Sequence, residues 1–514
     1  MTVAGLTAFA SFLLSVLLRT CIAGETNEYQ VIGGYPECKP PNLLISPSDM
    51  MGLHNQVDLL VNSIYVGLMT NRNVCMRGFK PQFDKTDMIS VAMIYNLQTM
   101  NHAIEASGIK RRIHESFNIS SSSNPGSENP FHLASIIGPE YQEATCLELH
   151  GEGAMGQRNC PGQKHGLKIR QREPNYTGIV AFLQRDDISQ MPCVAVTNGV
   201  PFVRTGFEET IDDAFIHEIH LMVKFQPIFY EVRDWLLVNE NGMKPGEPYT
   251  SVHFRLENDG LNQYHTFNAW EYEEVESVVK AGFTFNWTRP EHDIFVTSKF
   301  LQTVINTVPK DEKIHICSGL GKGQHNRVNF ILPLLKDYYK GNMFSNNMLN
   351  LELAVAAGLP IEGREVAAII DYIFAGGATN FIGISLSTFS GNAMRLIKTK
   401  RGIKDLYYGR TDGRLHDRAI NAKAGRKKQP QNSEELAAFA EKSVLFSIRD
   451  MGLPPFQPTE IGELDKMLTI PGLISGIDFI EKFHHATKVD ADSRREPLMS
   501  RPFQRMHPNV FRWD

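Results

Sequence analysis

Short apolar runs alternate with amphipathic helical patterns along most of this chain, and this alternation constrains its fold more than any other feature. Leu43–Ile45 precedes a stripe of apolar residues at three- and four-residue steps, made of Val57, Leu60, Val61, Ile64 and Leu68. Further strands are predicted at Ile179–Leu183, Cys193–Val196, Lys313–Ser318 and Asn380–Ile384, and helices at Phe215–Leu237, interrupted at Pro227, and at Arg364–Phe374. This exchange of strand and helix predicts an α/β fold with doubly wound parallel sheets.

The 514 residues exceed what one hydrophobic core normally organises, so two main domains are expected. The stretch NENGMKPGEP, residues 239–248, has the turn chemistry of a linker. We therefore predict an N-terminal domain over residues 24–240 and a C-terminal domain over residues 241–450, which ends in a helix at Ser433–Met451. Residues 451–514 are predicted to be a surface tail. Residues 150–175 are predicted to be an excursion from the N-terminal core.

The first residues are typical of a secretory signal. Val3–Leu18 is almost wholly apolar, Arg19 ends the run, and Ala23 precedes Gly24 at a small-residue cleavage site. The alternative is a type II membrane anchor, but the run is shorter than the ~20 residues that a membrane helix needs. We therefore predict a signal peptide over residues 1–23 and no transmembrane segment after its removal.

The cysteines agree with a lumenal route. Of seven cysteines, Cys21 falls in the signal segment. The remainder permit up to three disulfides, and none has the CxxC spacing of a zinc site. Cys146 and Cys160 are near enough in sequence to close a short loop, so this pair is predicted first. Sequons for N-glycosylation begin at Asn118, Asn175 and Asn286.

The overall charge argues against one class of partner. The net charge of -5 gives no support for binding nucleic acid, and 42% hydrophobic with 21% charged residues is typical of a globular protein. A basic surplus over residues 401–430 is interpreted as a solvated loop, with an acidic acceptor surface as the alternative.

One predicted strand ends in a cluster of charge. Tyr249–Phe254 is rich in β-branched and aromatic residues and leads into Arg255, Glu257 and Asp259, with His253 just before them. In α/β sheets the carboxyl ends of strands hold ligands. An arginine at such a strand end is expected to be paired or to bind an anion, and its planar fork suits a diphosphate.

Two predicted strand-to-helix turns are suited to polar or anionic ligands. The first contains Gly52, His54, Asn55 and Gln56, and the second contains Ser387, Thr388, Phe389 and Ser390. The backbone N–H groups at a helix start are free to bind phosphate oxygens, and hydroxyl groups can add to them. The alternative is that these side chains only cap their helices.

Other patterns are weaker. The glycine-rich loop Gly319–Gln324 follows a strand, but its glycine spacing is neither that of a Walker A motif nor that of GxGxxG. His217 and His220 lie on adjacent helical turns, where a polar or core pair is a simpler interpretation than metal ligation. Neither a GxSxG motif nor a DxD motif at a predicted strand end is evident, so a serine hydrolase and a metal-dependent glycosyltransferase have little support.

Together these stretches resemble the GDP-fucose O-fucosyltransferase family. The turn at Gly52, Asn55 and Gln56 resembles its GxNQ-type motif, with His54 as a departure. HFRLEND resembles its H-x-R-x-x-x-D strand. DYIFAGGATNFIGISLSTFS, from Asp371, is similar to its C-terminal motif. The resemblance implies a GT-B fold, with two Rossmann-like domains facing across a cleft.

The resemblance also implies roles for individual residues. Nucleotide-sugar-binding roles are implied for Gly52, His253, Arg255, Asp371, Ser387, Thr388 and Phe389. Arg255 would stabilise the leaving diphosphate, and Asn55 would lie near the fucose and the acceptor hydroxyl. Catalytic roles are implied for Arg255, Asn55, Glu257 and Asp259, and the general base is open among His54, Glu257 and Asp259. The family inverts at the anomeric carbon and generally needs no metal, so no cofactor is expected.

The sequence thus predicts a fucosyltransferase of the ER or Golgi lumen, or a secreted one, that moves fucose from GDP-fucose to a Ser/Thr hydroxyl of a protein. One alternative is a transferase of another nucleotide sugar, such as rhamnose, to a glycan. A second is an inactive secreted binding protein on the same scaffold. Retention of Arg255 beside Glu257 and Asp259 argues against the inactive scaffold, because a binding protein has no need of this charge.

Overall fold

The chain folds into two units, each organised around a parallel sheet. The computed structural model describes residues 38, 43–45, 53–76, 90–115, 146–151, 166–169, 180–181, 183–196, 213–240, 243–244, 246–257, 260–261, 289–318, 330–345, 363–384, 387–400, 444–446 and 461–493. The units divide between residues 245 and 246, inside the predicted linker, and described residues 363–370 belong with the first unit.

The first unit contains a six-stranded sheet. Its strands are β1 (Leu43–Ile45), β2 (Asn73–Met76), β3 (Ile113–Glu115), β4 (Cys146–Gly151), β5 (Gly166–Ile169) and β6 (Cys193–Val196), in the order β3-β2-β1-β6-β4-β5. Every pairing is parallel, and Leu44 pairs with Val74 on one side and Val194 on the other. Because β4 and β5 are strands of this sheet, the prediction that residues 150–175 leave the core is wrong for residues 150–151 and 166–169, and its other residues lie outside the described ones.

Helices accompany these strands. They are α1 (Leu53–Met69), α2 (Leu97–Ala106), α3 (Asp186–Ser189), α4 (Asp213–Met222) and α5 (Pro227–Trp235). A 3-10 turn lies before α2 at Val91–Met93, and α5 continues as a π-helical turn at Leu236–Glu240. The predicted interruption of the helix Phe215–Leu237 is confirmed, because Pro227 begins a new helix, where its missing N–H costs no hydrogen bond.

The helical predictions of the first unit differ in outcome. The apolar stripe on α1 is buried from Val57 to Ile64, and only Leu68 at its end is half-buried. Val180, Ala181 and Leu183 are helical, so the strand predicted at Ile179–Leu183 is wrong. The Gln184 N–H donates to the Val180 carbonyl at 2.9 Å, and this helical hydrogen bond overrides the local β propensity.

A disulfide and a buried arginine link separate segments of the first unit. A disulfide joins Cys38 to Cys75 on β2, with 5.6 Å between the Cα atoms. The buried guanidinium of Arg72 donates hydrogen bonds to the carbonyl groups of Ile188, Ser189 and Met191, at the end of α3. Carbonyl groups at a helix end have no partner within the helix, and Arg72 satisfies these in the core.

The cysteine predictions have different outcomes. Cys193 is also in a disulfide, whereas Cys317 is buried and unpaired. Three disulfides are therefore not reached by the six cysteines beyond the signal segment. The Cys146–Cys160 pair stays a prediction, because Cys160 lies outside the described residues.

The second unit contains a five-stranded sheet with the strand order of a Rossmann fold. Its strands are β7 (Thr250–Phe254), β8 (Ile314–Ser318), β9 (Met343–Ser345), β10 (Asn380–Ile384) and β11 (Val444–Phe446). All pairings are parallel, in the order β11-β10-β7-β8-β9. Counted within this unit, the order is 5-4-1-2-3, which is the Rossmann order read from the other edge. The prediction of an α/β chain with two Rossmann-like units is confirmed.

Helices also accompany this second sheet. They are α6 (Arg289–Thr307), α7 (Ile331–Tyr339), α8 (Gly363–Gly377), α9 (Thr388–Lys400), α10 (Ile461–Leu468) and α11 (Gly476–Ser493). The boundary between the units falls within α8, between Ile370 and Asp371. Among the helices that the structure describes, none is long and apolar enough to cross a membrane.

The C-terminal segment departs from the prediction. Val444–Phe446 pairs in parallel with β10, so the predicted helix at Ser433–Met451 is wrong in this part. Residues 461–493 form two helices, not only a surface tail, and Leu468, Phe479 and Phe483 join the core of the second unit. Burial of these side chains outweighs the proline-rich lead-in that suggested a tail.

Polar contacts fix α10 against α6. Ser298 Oγ donates to the Leu468 carbonyl at 2.8 Å, and Gln302 Nε2 donates to the carbonyls of Met467 and Thr469 at 2.9 Å each. Carbonyl groups at the end of a helix need partners from outside the helix. The last described helices are thus an integral part of the second unit.

Candidate functional site

The candidate site lies where β7 and β10 end, at the topological switch point of the second sheet. Val252 on β7 pairs with Ile382 on β10, and both strands run in the same direction. The connections from these two central strands leave toward opposite edges of the sheet. Such a crevice at the carboxyl ends of strands is where open α/β sheets bind ligands.

Arg255 follows β7 directly and is held by an acid. Its Nη1 donates to Glu257 Oε2 at 3.1 Å, and the two side chains are 26% and 11% exposed. Gly260 packs under this turn, because a Cβ there would lie 2.8 Å from the Arg255 carbonyl oxygen. A guanidinium carries five N–H donors, more than one carboxylate can accept, so a partly exposed one can also contact an anion.

His253 contacts the start of α9. Its Nδ1 lies 2.8 Å from Ser390 Oγ, which also accepts the Ile384 N–H at 3.1 Å. The His253 ring is tilted against Phe389, with 4.3 Å between ring centroids. Because Ser390 Oγ accepts from Ile384, its own proton is available to His253 Nδ1. This favours the tautomer that carries a proton on Nε2.

Gly383 allows this close approach. A Cβ at this position would lie 2.6 Å from Ser390 Oγ, 2.8 Å from Ser390 Cβ and 2.6 Å from Phe381 Cε1. Real Cβ atoms do not make such short contacts, so only glycine fits at this position of the F-I-G sequence in β10. Gly383 thereby allows the start of α9 to pack against the sheet.

The start of α9 is partly exposed. Ser387 and Thr388 are half-buried, whereas Phe389 and Ser390 are buried. The Ser387 N–H donates to the Ile384 carbonyl at 3.1 Å, which closes the turn between β10 and α9. The helix start therefore presents two hydroxyl groups beside its positive dipole end, an arrangement suited to phosphate oxygens.

Asp371 on α8 belongs to a polar chain that the sequence did not reveal. Its Oδ1 lies 3.2 Å from His315 Nε2, and His315 Nδ1 lies 2.9 Å from Ser251 Oγ. The thiol of Cys317 lies 3.4 Å from Ser251 Oγ. Burial, and then the charge of Asp371, raise the pKa of the Cys317 thiol well above its ordinary value. The thiol therefore stays protonated.

The donor atoms of His315, Cys317 and Asp371 lie within 4.8 Å of one another, a spacing that invites comparison with a metal site. However, Asp371 contacts Nε2 of the imidazole, whereas Cys317 lies 3.4 Å from Nδ1. One ion cannot take both ring nitrogens, so the geometry fits a hydrogen-bond chain better than a three-ligand metal centre.

The first unit holds the other predicted residues. His54, Asn55 and Gln56 occupy the first turn of α1; Asn55 is half-buried and the other two are buried. Burial lowers the pKa of His54 to about 3, while a hydrogen bond with the backbone of Ala368 acts in the opposite direction. An imidazole with this pKa is neutral and accepts protons poorly, which weakens His54 as a general base.

Several predicted features lie outside the described residues. They are Gly52, Asp259, the loop Gly319–Gln324, the signal segment 1–23, the three sequons and the basic stretch 401–430. Of the histidine pair on α4, His220 is buried, and nothing is described of the His217 side chain. The structure thus brings His253, Phe389 and Ser390 into contact, and pairs Arg255 with Glu257.

His54 gives a prediction for acid sensitivity. The folded-state pKa of about 3 lies below the ordinary 6.5, so the unfolded chain gains a proton first as the pH falls. The stabilisation is present above about pH 6.5 and is lost toward pH 3, by at most about 1.4 kcal/mol per pH unit. Urea unfolding at several pH values is expected to show a shallower loss for His54→Gln than for the unchanged protein.

The exposed His102 supplies the control for this prediction. His102→Gln is expected to keep the pH dependence of the unchanged protein. Equal slopes for His54→Gln and the unchanged protein would show that His54 is not the group responsible.

Comparisons with known proteins give weak similarities. No family model matches the sequence, and a search of the curated proteins gives no match. POFUT1 in complex with GDP-fucose is 11% identical, with a TM-score of 0.41 over 71% of this chain and 96% of that chain. Fucosyltransferase NodZ from Bradyrhizobium is 12% identical, with a TM-score of 0.34 over 69% and 92%. The site geometry, and not these low values, supports the functional assignment below.

Proposed function

We propose that the chain is a glycosyltransferase that moves fucose from GDP-fucose to a hydroxyl group of a protein. The observation that carries this proposal is the Arg255–Glu257 pair at the switch point of a Rossmann-ordered sheet. A partly exposed arginine fixed at this point suits a nucleoside diphosphate. The motif resemblance of the same residues to O-fucosyltransferases supports fucose as the sugar.

The proposed donor site uses residues of the second unit. Arg255 binds the β-phosphate, and Ser387 and Thr388 bind phosphate oxygens beside the start of α9. His253, Phe389 and Asp371 contact the nucleotide. Glu257 holds Arg255 in place, since its Oε2 accepts the Nη1–H at 3.1 Å. This contact supports a positioning role for Glu257 over that of general base.

The proposed reaction is a single displacement with inversion. An acceptor oxygen attacks the anomeric carbon of fucose, the bond from that carbon to the β-phosphate oxygen breaks, and its electron pair leaves with GDP. The acceptor proton passes to a base. Arg255 stabilises the charge that develops on the diphosphate, which is the task a metal performs in other transferases. Asn55 is assigned to the fucose and the acceptor hydroxyl.

We further propose the lumen of the secretory pathway as the compartment. The disulfide between Cys38 and Cys75 supports this, because structural disulfides persist mainly in oxidising compartments. The apolar run Val3–Leu18 supports entry by a signal peptide.

Titration of the purified chain tests the donor assignment. GDP, GDP-fucose and UDP are added separately, with and without EDTA, to the unchanged protein and to Arg255→Ala. We expect GDP and GDP-fucose to bind more tightly than UDP, with no effect of EDTA. Arg255→Ala is expected to weaken GDP binding by at least about tenfold, since a charge-assisted hydrogen bond is lost.

Arg185 supplies a matched control. It also pairs with an acid two residues later, Asp187, at 2.8 Å, but both side chains are more than half exposed. Arg185→Ala is expected to bind GDP as the unchanged protein does. GDP binding that ignores Arg255 would refute the donor site. Preference for UDP would point to another nucleotide sugar, and tight GDP-fucose binding without turnover would point to a binding protein.

A further inference from the structure

A polar chain crosses the core of the second unit between β7, β8 and α8. Ser251 Oγ contacts His315 Nδ1 at 2.9 Å, and His315 Nε2 contacts Asp371 Oδ1 at 3.2 Å. Ser251 and His315 are fully buried. On the same strand as His315, the flanking Ile314 and Ile316 are apolar and buried, so a polar side chain between them is exceptional. Buried polar groups cost free energy unless they are fully hydrogen-bonded.

Aromatic rings hold the imidazole in one orientation. Phe374 lies 4.7 Å and Phe344 lies 5.1 Å from the His315 ring, centroid to centroid, and Tyr249 meets it edge-on at 6.4 Å. A ring flip would break both nitrogen contacts. Because the Asp371 carboxylate can only accept, Nε2 carries the proton and donates to it. The direction of the chain is therefore fixed by its partners.

Asp371 is the member of this chain that reaches solvent. Its side chain is 11% exposed, whereas that of His315 is not exposed at all. The next residue, Tyr372, packs edge-on against Phe389 at 6.1 Å, and Phe389 covers His253. The carboxylate thus lies on the same helix turn as a ring that contacts the donor site.

We propose that His315 is a positioning residue, which orients the Asp371 carboxylate to accept hydrogen bonds from the nucleoside part of the donor. This inference rests on the proposed function. A carboxylate repels phosphate, so its partners are the N–H groups of the base or the hydroxyl groups of the ribose. His315 fixes one oxygen and thereby sets the direction in which the other accepts.

Two substitutions separate positioning from packing. His315→Phe keeps an aromatic ring between Phe344 and Phe374 but removes the N–H donor. His315→Gln loses the ring but keeps an amide N–H that can reach Asp371. Thermal unfolding of both variants, and their binding of GDP, ADP and inorganic pyrophosphate, are measured by calorimetry. Where ADP or pyrophosphate binds too weakly for direct titration, its affinity is measured by competition with GDP.

We expect His315→Phe to weaken GDP binding by about five- to tenfold, the effect of one hydrogen bond, and His315→Gln to stay within about twofold. Pyrophosphate binding is expected to be unchanged in both variants. ADP distinguishes the base from the ribose as the source of the hydrogen-bond donors. If His315→Phe leaves ADP affinity unchanged, the donors are on the base, because adenine lacks the N–H groups of the guanine edge. If His315→Phe weakens ADP and GDP binding equally, the donors are on the ribose.

Equal losses of GDP affinity in both variants would overturn the proposal, as would no loss in His315→Phe or a parallel loss for pyrophosphate. If His315→Phe does not fold, Ser251→Ala is compared with Ser298→Ala, which removes a buried hydroxyl on α6 that donates to the Leu468 carbonyl, away from this polar chain. Ser251→Ala must weaken GDP binding and Ser298→Ala must not; any other pattern overturns the proposal. Failure of the proposed function is distinguishable from these outcomes. It would appear as no GDP binding by the unchanged protein, or as equal GDP binding by the unchanged protein and Arg255→Ala.

Discussion

Replacement of Arg255 by lysine is expected to slow the release of GDP from GDP-fucose by about 10²- to 10³-fold, the usual cost of losing a group that stabilises transition-state charge. Lysine keeps the charge but lacks the planar fork, so it cannot both contact Glu257 through one nitrogen and present others to a diphosphate. The rate is measured as the hydrolysis of GDP-fucose at saturating GDP-fucose, because in this reaction water replaces the acceptor.

The loss is expected mainly in kcat, because the charge on the diphosphate is greatest as the sugar departs. Arg185→Lys, at an exposed ion pair, is the control and is expected to keep the full rate. A rate for Arg255→Lys within about threefold of the unchanged protein would contradict a role for the arginine fork in the chemical step.

The strands of the second unit were predictable because each has a plain pattern. Tyr249–Phe254, Lys313–Ser318 and Asn380–Ile384 are runs bounded by polar or glycine-rich turns, and β7, β8 and β10 occur there. The strand β11 was not predicted, since Val444–Phe446 is too short to show a period. Residues 150–151 and 166–169, within the predicted excursion 150–175, were misassigned because the charge and glycine content of that stretch obscured the strands β4 and β5, which pair with each other.

The candidate site was only partly predictable. Arg255 and Glu257 are two residues apart at a strand end, so their pairing follows from sequence alone. The contact of His253 with Ser390 spans 137 positions, and that of His315 with Asp371 spans 56. No local pattern joins such residues. A histidine within the apolar strand β8 was the available signal for the second pair.

Substitution of Gly383 by alanine is expected to disrupt the donor site more than its size suggests. The added Cβ would lie 2.6 Å from Ser390 Oγ and 2.8 Å from Ser390 Cβ. Ser390 is held between His253 Nδ1 and the Ile384 N–H, so it cannot move without losing one of them. Overpacking of this kind costs about 1–3 kcal/mol of unfolding free energy. We expect that loss in urea unfolding, together with a drop in GDP affinity of more than about tenfold.

Gly391, one position after Ser390, is the matched control. A Cβ there meets no atom within 4 Å, and alanine favours a helix over glycine by about 0.5–1 kcal/mol. Gly391→Ala is therefore expected to leave the stability unchanged or to raise it. If Gly383→Ala were as stable as the unchanged protein and bound GDP equally well, the start of α9 would have room to move, and the contact of His253 with Ser390 would not be needed to form the donor site.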